Sequence, residues 1–84
     1  MNYTEILGLA AGTITSITFL PQVMHIWKTK SAKDLSLAML LLLILGVLMW
    51  LSYGLIIKDA AIIYTNSMVL IMSIILLVFK IKFK

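Results

Sequence analysis

Three long apolar runs, separated by short polar segments, form the main pattern of this chain. They cover residues 6–27, 37–57 and 60–79. Each run has about the 20 residues that an α-helix needs to cross the hydrocarbon core of a bilayer. The linker at 28–34 is hydrophilic, and Ser36 is a candidate N-cap for the helix that follows. The pattern predicts an all-α membrane protein in which residues 1–84 form a single domain of three transmembrane helices.

The first run contains more polar residues than a simple membrane span needs. Four hydroxyl residues lie within 13–18, and Pro21 and Gln22 follow them. Because proline lacks an N–H and its ring clashes with the carbonyl four residues earlier, the helix must kink or loosen there. Two interpretations stay open: a kinked helix whose hydroxyls bond to their own backbone, or a hinge in a moving helix that lines a polar path. Gly8 and Gly12 also form a G-x-x-x-G face that another helix could approach closely.

Composition narrows the classes of function. The chain is 63% hydrophobic and 12% charged, with a net charge of +4. Its lysines flank the apolar runs and form no basic patch, so we expect no nucleic-acid partner. There is no cysteine, which removes disulfides and thiolate metal sites, and we expect neither a metal nor another cofactor. The single histidine, His25, has no neighbouring carboxylate or nucleophile in the sequence, and we expect no enzymatic activity.

The lysines predict how the chain is oriented. Three lysines lie in the first loop (Lys28, Lys30 and Lys33) and three in the C-terminal tail (Lys80, Lys82 and Lys84). Lys58 stands alone in the other loop, next to Asp59. The positive-inside rule therefore predicts an N-terminus outside and a cytoplasmic C-terminus. For so small a chain, a prokaryotic inner membrane is the expected location.

Two residues of the later runs lie at a common depth. Trp50 and Asn66 are each six or seven residues from the end of their run, which corresponds to roughly 10 Å of helix rise. Thr13 lies at the same level in the first run. The tryptophan could be core packing, and the asparagine could bond two helices together. Alternatively, an indole and an amide at one depth suit a neutral polyhydroxylated ligand, because sugar ring faces stack on tryptophan and amides bond hydroxyls in both directions.

Several motifs resemble a known family. The segment 19–22 (Phe-Leu-Pro-Gln), the segment 46–54 (Gly-Val-Leu-Met-Trp-Leu-Ser-Tyr-Gly) and Asn66 are similar, in this order, to the bacterial SemiSWEET sugar transporters of the PQ-loop superfamily. The resemblance implies a three-helix protomer with helices in the order 1-3-2, working as a parallel homodimer with sugar bound between protomers. It implies that Trp50 and Asn66 hold the sugar and that Pro21, with the adjacent Gln22, is the hinge.

The gates of that family match this chain in part. Its outer gate uses a tyrosine, an arginine and an aspartate; Tyr53 and Asp59 match, but the arginine position is Ile57, with Lys58 beside it. We expect Lys58 to pair with Asp59, although lysine lacks the planar fork of arginine.

The inner gate of the family uses bulky apolar residues near the start of the second span. Met39 matches this pattern, and Leu43 stands where an aromatic residue is typical. We expect both residues to contribute to the inner gate.

The function implied is facilitated, alternating-access uniport of a small neutral sugar, a mono- or disaccharide, through a homodimer in the bilayer. Three helices alone leave no room for an enclosed polar route, whereas a two-fold parallel dimer places two tryptophans and two asparagines around one axis. Uniport is expected because the three acids, Glu5, Asp34 and Asp59, lie at the edges of the spans. The alternatives are a PQ-loop-type transporter of another solute such as an amino acid, which should carry a mid-membrane acid, and a non-transporting small membrane subunit.

Overall fold

The computed structural model describes residues 2–84, which form four helices and short connections. The helices are α1 (Tyr3–Ile17), α2 (Leu20–Thr29), α3 (Leu37–Ile57) and α4 (Ala60–Phe83). Since α1 and α2 together make one apolar span, the described chain has three helical spans long and apolar enough to cross a membrane. The all-α fold with three spans is confirmed. The helix α3 also has the bounds that the apolar pattern predicts.

The first and last spans are longer than their apolar runs. The Asn2 Oδ1 accepts a hydrogen bond from the Glu5 N–H at 2.7 Å, and this N-cap starts α1 at Tyr3. At the other end α4 continues through Lys80 and Lys82 to Phe83. Cations in the last turn complement the helix dipole, and their long stems reach toward water while the backbone stays helical.

The first span loosens just before its proline. The Thr18 N–H donates to the Thr15 carbonyl at 3.2 Å, and the Phe19 N–H donates to the Ser16 carbonyl at 3.1 Å. These three-residue steps tighten the chain into a 3₁₀ turn between α1 and α2. Pro21 then falls in the first turn of α2, where a missing N–H costs no intrahelical bond. The expected loosening of the helix is confirmed.

The third span lies between the first and the second. The helix α4 packs against α1, α2 and α3, whereas within residues 2–84 the backbone of α3 does not closely approach α1 or α2. The predicted helix order 1-3-2 is therefore confirmed.

Small residues set the distance between α1 and α4. A Cβ atom added to Gly8 would overlap Ala61, and one added to Gly12 would overlap the Thr65 side chain. The two backbones can approach this closely because the glycines present no side chain, as the G-x-x-x-G spacing predicts. Gly54 of α3 lies equally close to α4 from the other side.

Bulky residues pack the opposite half of the protomer. We call this half the lysine-rich end, because α2 and α4 finish there among Lys28, Lys30, Lys80 and Lys82. A buried apolar cluster joins α2, the following loop, α3 and α4: Ile26, Ala32, Leu40 and Leu76. The Ser36 Oγ starts α3 by accepting a hydrogen bond from the Met39 N–H at 3.2 Å, as its residue type predicts.

Aromatic and cationic side chains complete this half. The Trp27 ring stacks on Phe79, with centroids 5.9 Å apart, and the Lys30 ammonium lies 3.5 Å from the Trp27 ring centroid. The Phe79 ring in turn packs against the Phe83 ring, with centroids 5.4 Å apart. Lys30 takes a left-handed conformation at φ 56° as it ends α2. These contacts bind α2 to the C-terminal half of α4.

Candidate functional site

A groove on one side of the protomer brings Trp50 and Asn66 together. Its volume is about 480 Å³, and it is open on one side. The first span, α3 and α4 all contribute to its lining: Thr15, Phe19, Leu42, Leu43, Gly46, Val47, Trp50, Thr65, Asn66 and Val69. The two residues singled out in the sequence therefore line one surface although they belong to different helices. We call this surface the central groove.

The Asn66 amide has hydrogen-bonding capacity left over. Its Nδ2 donates to the Ile62 carbonyl at 2.9 Å, one turn earlier in the same helix. This bond fixes the amide within α4 and does not join α4 to another helix. An asparagine side chain has two donors and one acceptor oxygen, so the Oδ1 and a second N–H are available to a ligand.

Open space lies beside the Trp50 indole. The side chain is 55% exposed and meets Tyr53 edge to face, with centroids 5.7 Å apart and an angle of 85° between the rings. A Cβ atom added to Gly46, one turn before Trp50, would meet nothing within 4 Å. Unlike Gly12, which packing within the protomer requires, Gly46 widens the groove next to the tryptophan.

Thr13 contacts α4 instead of lining this groove. Its hydroxyl donates to the Leu9 carbonyl at 2.8 Å, so the hydrogen bond of 2.6 Å to Tyr64 must be donated by the tyrosine hydroxyl. This chain of bonds ties α1 to α4. The sequence placed Thr13 at the right level but did not reveal which way it faces, and it gave no role to Tyr64.

The hydroxyls after Thr13 divide between backbone and groove. Ser16 donates to the Gly12 carbonyl at 2.8 Å, and Thr18 donates to the Thr15 carbonyl at 2.6 Å. Both bonds fit the interpretation in which hydroxyls compensate a loosened helix. Thr15 is exposed and lines the central groove instead, and sequence reasoning missed it. Its spacing of seven residues from Gln22, two helical turns along one face, is the signal that could have revealed it.

A second groove, of about 250 Å³, continues toward the lysine-rich end. It contains Gln22, Met39 and Leu43, which the resemblance assigns to the hinge and the inner gate, together with Phe19. Phe19 and Leu43 also line the central groove, so the two surfaces are adjacent. Phe19 is a further residue that sequence reasoning did not assign. We call this surface the gate groove.

The opposite end holds the residues expected at the outer gate. Lys58 ends α3 in a left-handed conformation, and the Asp59 Oδ1 accepts a hydrogen bond from the Ile62 N–H at 3.0 Å, which caps α4. The second carboxylate oxygen of Asp59 is the one available for a gate contact. Among the described residues, 2–84, Lys58 and Asp59 form no ion pair with each other. Their pairing at the outer gate stays a prediction. Tyr53 contacts Trp50 and lies one turn closer to this end.

The fold and the groove define a multi-pass membrane protein whose helices border a largely apolar groove with a few polar groups, Thr15, Thr65 and Asn66. The PQ loop repeat family matches residues 3–63. The Sugar transporter SemiSWEET of Bradyrhizobium diazoefficiens is 38% identical over 79 residues, which are 94% of this chain and 92% of that protein. The protein of the same name from Leptospira biflexa is 36% identical over 76 residues, 90% of this chain and 89% of that protein. The chain belongs to the PQ-loop family.

A solved structure agrees with the whole fold. The crystal structure of a bacterial homologue of SWEET transporters superposes with a TM-score of 0.94 at 36% identity, covering 99% of this chain and 100% of that one. The resemblance drawn from residues 19–22, residues 46–54 and Asn66 is thereby confirmed. The named relatives are sugar transporters and not enzymes, in agreement with the expectation from the sequence.

Proposed function

We propose that two copies of this chain form a parallel homodimer that mediates facilitated, alternating-access uniport of small neutral sugars. The observation that carries this proposal is the central groove, which brings the exposed indole of Trp50 and the partly used amide of Asn66 onto one surface. The relatives named sugar transporters support the class of substrate.

The groove has the chemistry that a mono- or disaccharide needs. A sugar presents apolar C–H faces and a rim of hydroxyls; the first suit an indole, and the second suit groups that both donate and accept. Asn66 and the Thr15 hydroxyl provide such groups, and Gly46 leaves room beside Trp50. The lining residues carry no charged side chain, which favours a neutral solute over an amino acid.

A second protomer completes the site. The central groove is open on one side, and large apolar side chains such as Leu42, Met49 and Ile71 are exposed on the protomer. A two-fold axis along the groove would enclose it and double each polar contact. Because the chain has no native cysteine, Ser67→Cys beside Asn66 gives a clean crosslinking probe. We expect a disulfide-linked dimer in membranes, and only monomer at every position tried across α4 would contradict the assembly.

Gates on either side of the groove would make access alternate. We assign Tyr53, Asp59 and Lys58 to the outer gate, Met39 and Leu43 to the inner gate, and the hinge to Pro21 with Gln22. The lysine-rich end then faces the cytoplasm of a cell with an inner membrane, with the N-terminus outside. A C-terminal cytoplasmic reporter should be active, and labelling of a C-terminal cysteine from the periplasm would overturn this orientation.

Uptake by proteoliposomes tests the substrate class. We expect saturable uptake of one or more labelled mono- or disaccharides from a panel that also contains amino acids. The alternative, a PQ-loop-type transporter of amino acids, would give uptake of amino acids alone. Failure with every solute would favour a non-transporting membrane subunit.

A further inference from the structure

A third groove lies at the lysine-rich end, next to the gate groove. It has a volume of about 440 Å³ and lies between α2 and the loop that leads to α3. Polar side chains outnumber apolar ones in its lining: Gln22, His25, Ile26, Thr29, Ser31, Ala32, Lys33, Asp34 and Leu35. We call this groove the vestibule. Neither the hinge nor the inner gate explains why it is polar.

The gate groove lies between the vestibule and the central groove and shares lining residues with each. The central groove shares Phe19 and Leu43 with the gate groove. The gate groove in turn shares Gln22 and Leu35 with the vestibule. Three adjacent grooves therefore lead from the Asn66 amide, past the largely apolar gate groove, to the lysine-rich end.

The backbone around the vestibule is held in place. Lys30 turns the chain back at the end of α2, and Ala32 is buried with 2% of its surface exposed. The Lys80 Nζ of α4 donates to the Ala32 carbonyl at 3.0 Å. Because the loop is fixed at its centre, the groove between it and α2 exists before any ligand arrives.

The lining favours a neutral polyhydroxylated ligand. Its exposed edge offers the Gln22 amide and the His25 imidazole, which together donate and accept. The Thr29 hydroxyl already donates to the His25 carbonyl at 2.9 Å, so it remains an acceptor. Lys33 and Asp34 contribute opposite charges to the same groove, and an anion attracted by one would be repelled by the other.

We propose that the vestibule is a second, weaker binding site for neutral sugars, occupied when sugar passes between the central groove and the lysine-rich end. Its ligand class rests on the proposed function. The site is weaker because its lining has amide, hydroxyl and imidazole groups but no tryptophan, tyrosine or phenylalanine on which a sugar ring can stack.

Protection of a single cysteine tests this site. Ser31→Cys places a thiol in the vestibule of a chain without other cysteines, and Lys28→Cys is a matched control on α2 outside the lining. In nanodiscs both ends are accessible to maleimide. We expect sucrose or glucose to slow labelling of the cysteine at 31 at least threefold and to leave labelling at 28 unchanged. Lys33→Cys serves as a second position if the first variant folds poorly.

Two double variants separate direct protection from a change of gate state. Protection at 31 should persist in Trp50→Ala/Asn66→Ala protein, in which the central site is removed, and should be lost in His25→Ala/Thr29→Val protein. If all uptake fails while this protection persists, the transport proposal fails and the vestibule site stands.

Four results would overturn the vestibule site. The first is a labelling rate at position 31 that sugar does not change, and the second is protection by sugar that is lost when Trp50 and Asn66 are replaced. The third is a cysteine at 31 that stays unreactive with or without sugar because another copy covers it. The fourth is stronger protection by glucose 6-phosphate than by glucose. The last result would identify an anion site instead.

Discussion

The two tryptophans mark two halves of the protomer that are built differently. Trp50 and Trp27 are almost equally exposed, at 55% and 56%, so exposure does not distinguish them. Their partners do. Trp50 has one edge-to-face contact with Tyr53 and open space beside Gly46, whereas Trp27 is stacked on Phe79 with the Lys30 ammonium over its ring.

The same contrast runs along the first span. On the N-terminal side of the 3₁₀ turn, α1 contacts α4 through Gly8, Gly12 and the Thr13–Tyr64 hydrogen bond, and the two backbones lie close together. On the C-terminal side of the turn, α2 contacts α4 through large apolar and aromatic side chains. The lesson is that the half with small residues leaves open space beside Trp50 and Asn66, while the half with large residues holds α2 against α4 through a buried apolar cluster.

The largest effect on sugar uptake should come from replacing Trp50, whereas replacing Trp27 should have little effect. We expect Trp50→Ala, and likewise Asn66→Ala, to reduce sugar uptake to background while the protein stays folded and dimeric. A contact of about 1 kcal/mol, lost twice by symmetry, weakens sugar binding roughly thirty-fold. The matched control, Trp27→Ala, should retain uptake. Uptake at the wild-type rate in Trp50→Ala protein would remove this residue from the site.

A second comparison uses two glycines. Alanine at Gly46 fits open space and gains up to about 1 kcal/mol of helix propensity. Alanine at Gly12 overlaps Thr65, and overpacking of this kind costs about 1–3 kcal/mol. Thermal unfolding in detergent should therefore show Gly12→Ala less stable than wild type and Gly46→Ala at least as stable. Equal melting temperatures for both variants would mean that the α1–α4 contact is looser than described.

Pro21 lies where the two halves join. We expect Pro21→Ala to fold normally and to slow sugar exchange several-fold, because a residue with an N–H can restore a continuous helix and favour one gate state. Exchange rates in proteoliposomes measure this effect. Unchanged kinetics would show that the turn before the proline has a structural role alone.

The smallest effect should be at Lys30. Replacing it with glutamine removes a cation–π contact with Trp27 that is worth about 0.5–1 kcal/mol at an exposed site. Lys28→Gln removes the same charge from the same helix and serves as the control. A stability loss in Lys30→Gln beyond that of Lys28→Gln is expected, and an equal loss would assign the effect to net charge.

The sequence predicted the spans, the helix order through the resemblance, and two residues that share the central groove. The apolar runs indicate length and number of spans because the bilayer sets both. The sequence could not predict which way Thr13 and Thr15 face, because the polar residues of α3 and α4 do not gather on one face of either helix and so do not orient the neighbouring helix. The contact between the Lys30 ammonium and the Trp27 ring could not be predicted from the sequence either, since it depends on the left-handed turn that ends α2.

Sugar flux under an imposed ion gradient shows whether transport is uniport. Proteoliposomes containing the protein are given labelled sugar with and without an inward proton or sodium gradient. We expect sugar to enter until its concentrations are equal on both sides, with or without the gradient, because the lining of the central groove contains no acidic or histidine side chain. Accumulation of sugar above equilibrium on either gradient would contradict uniport.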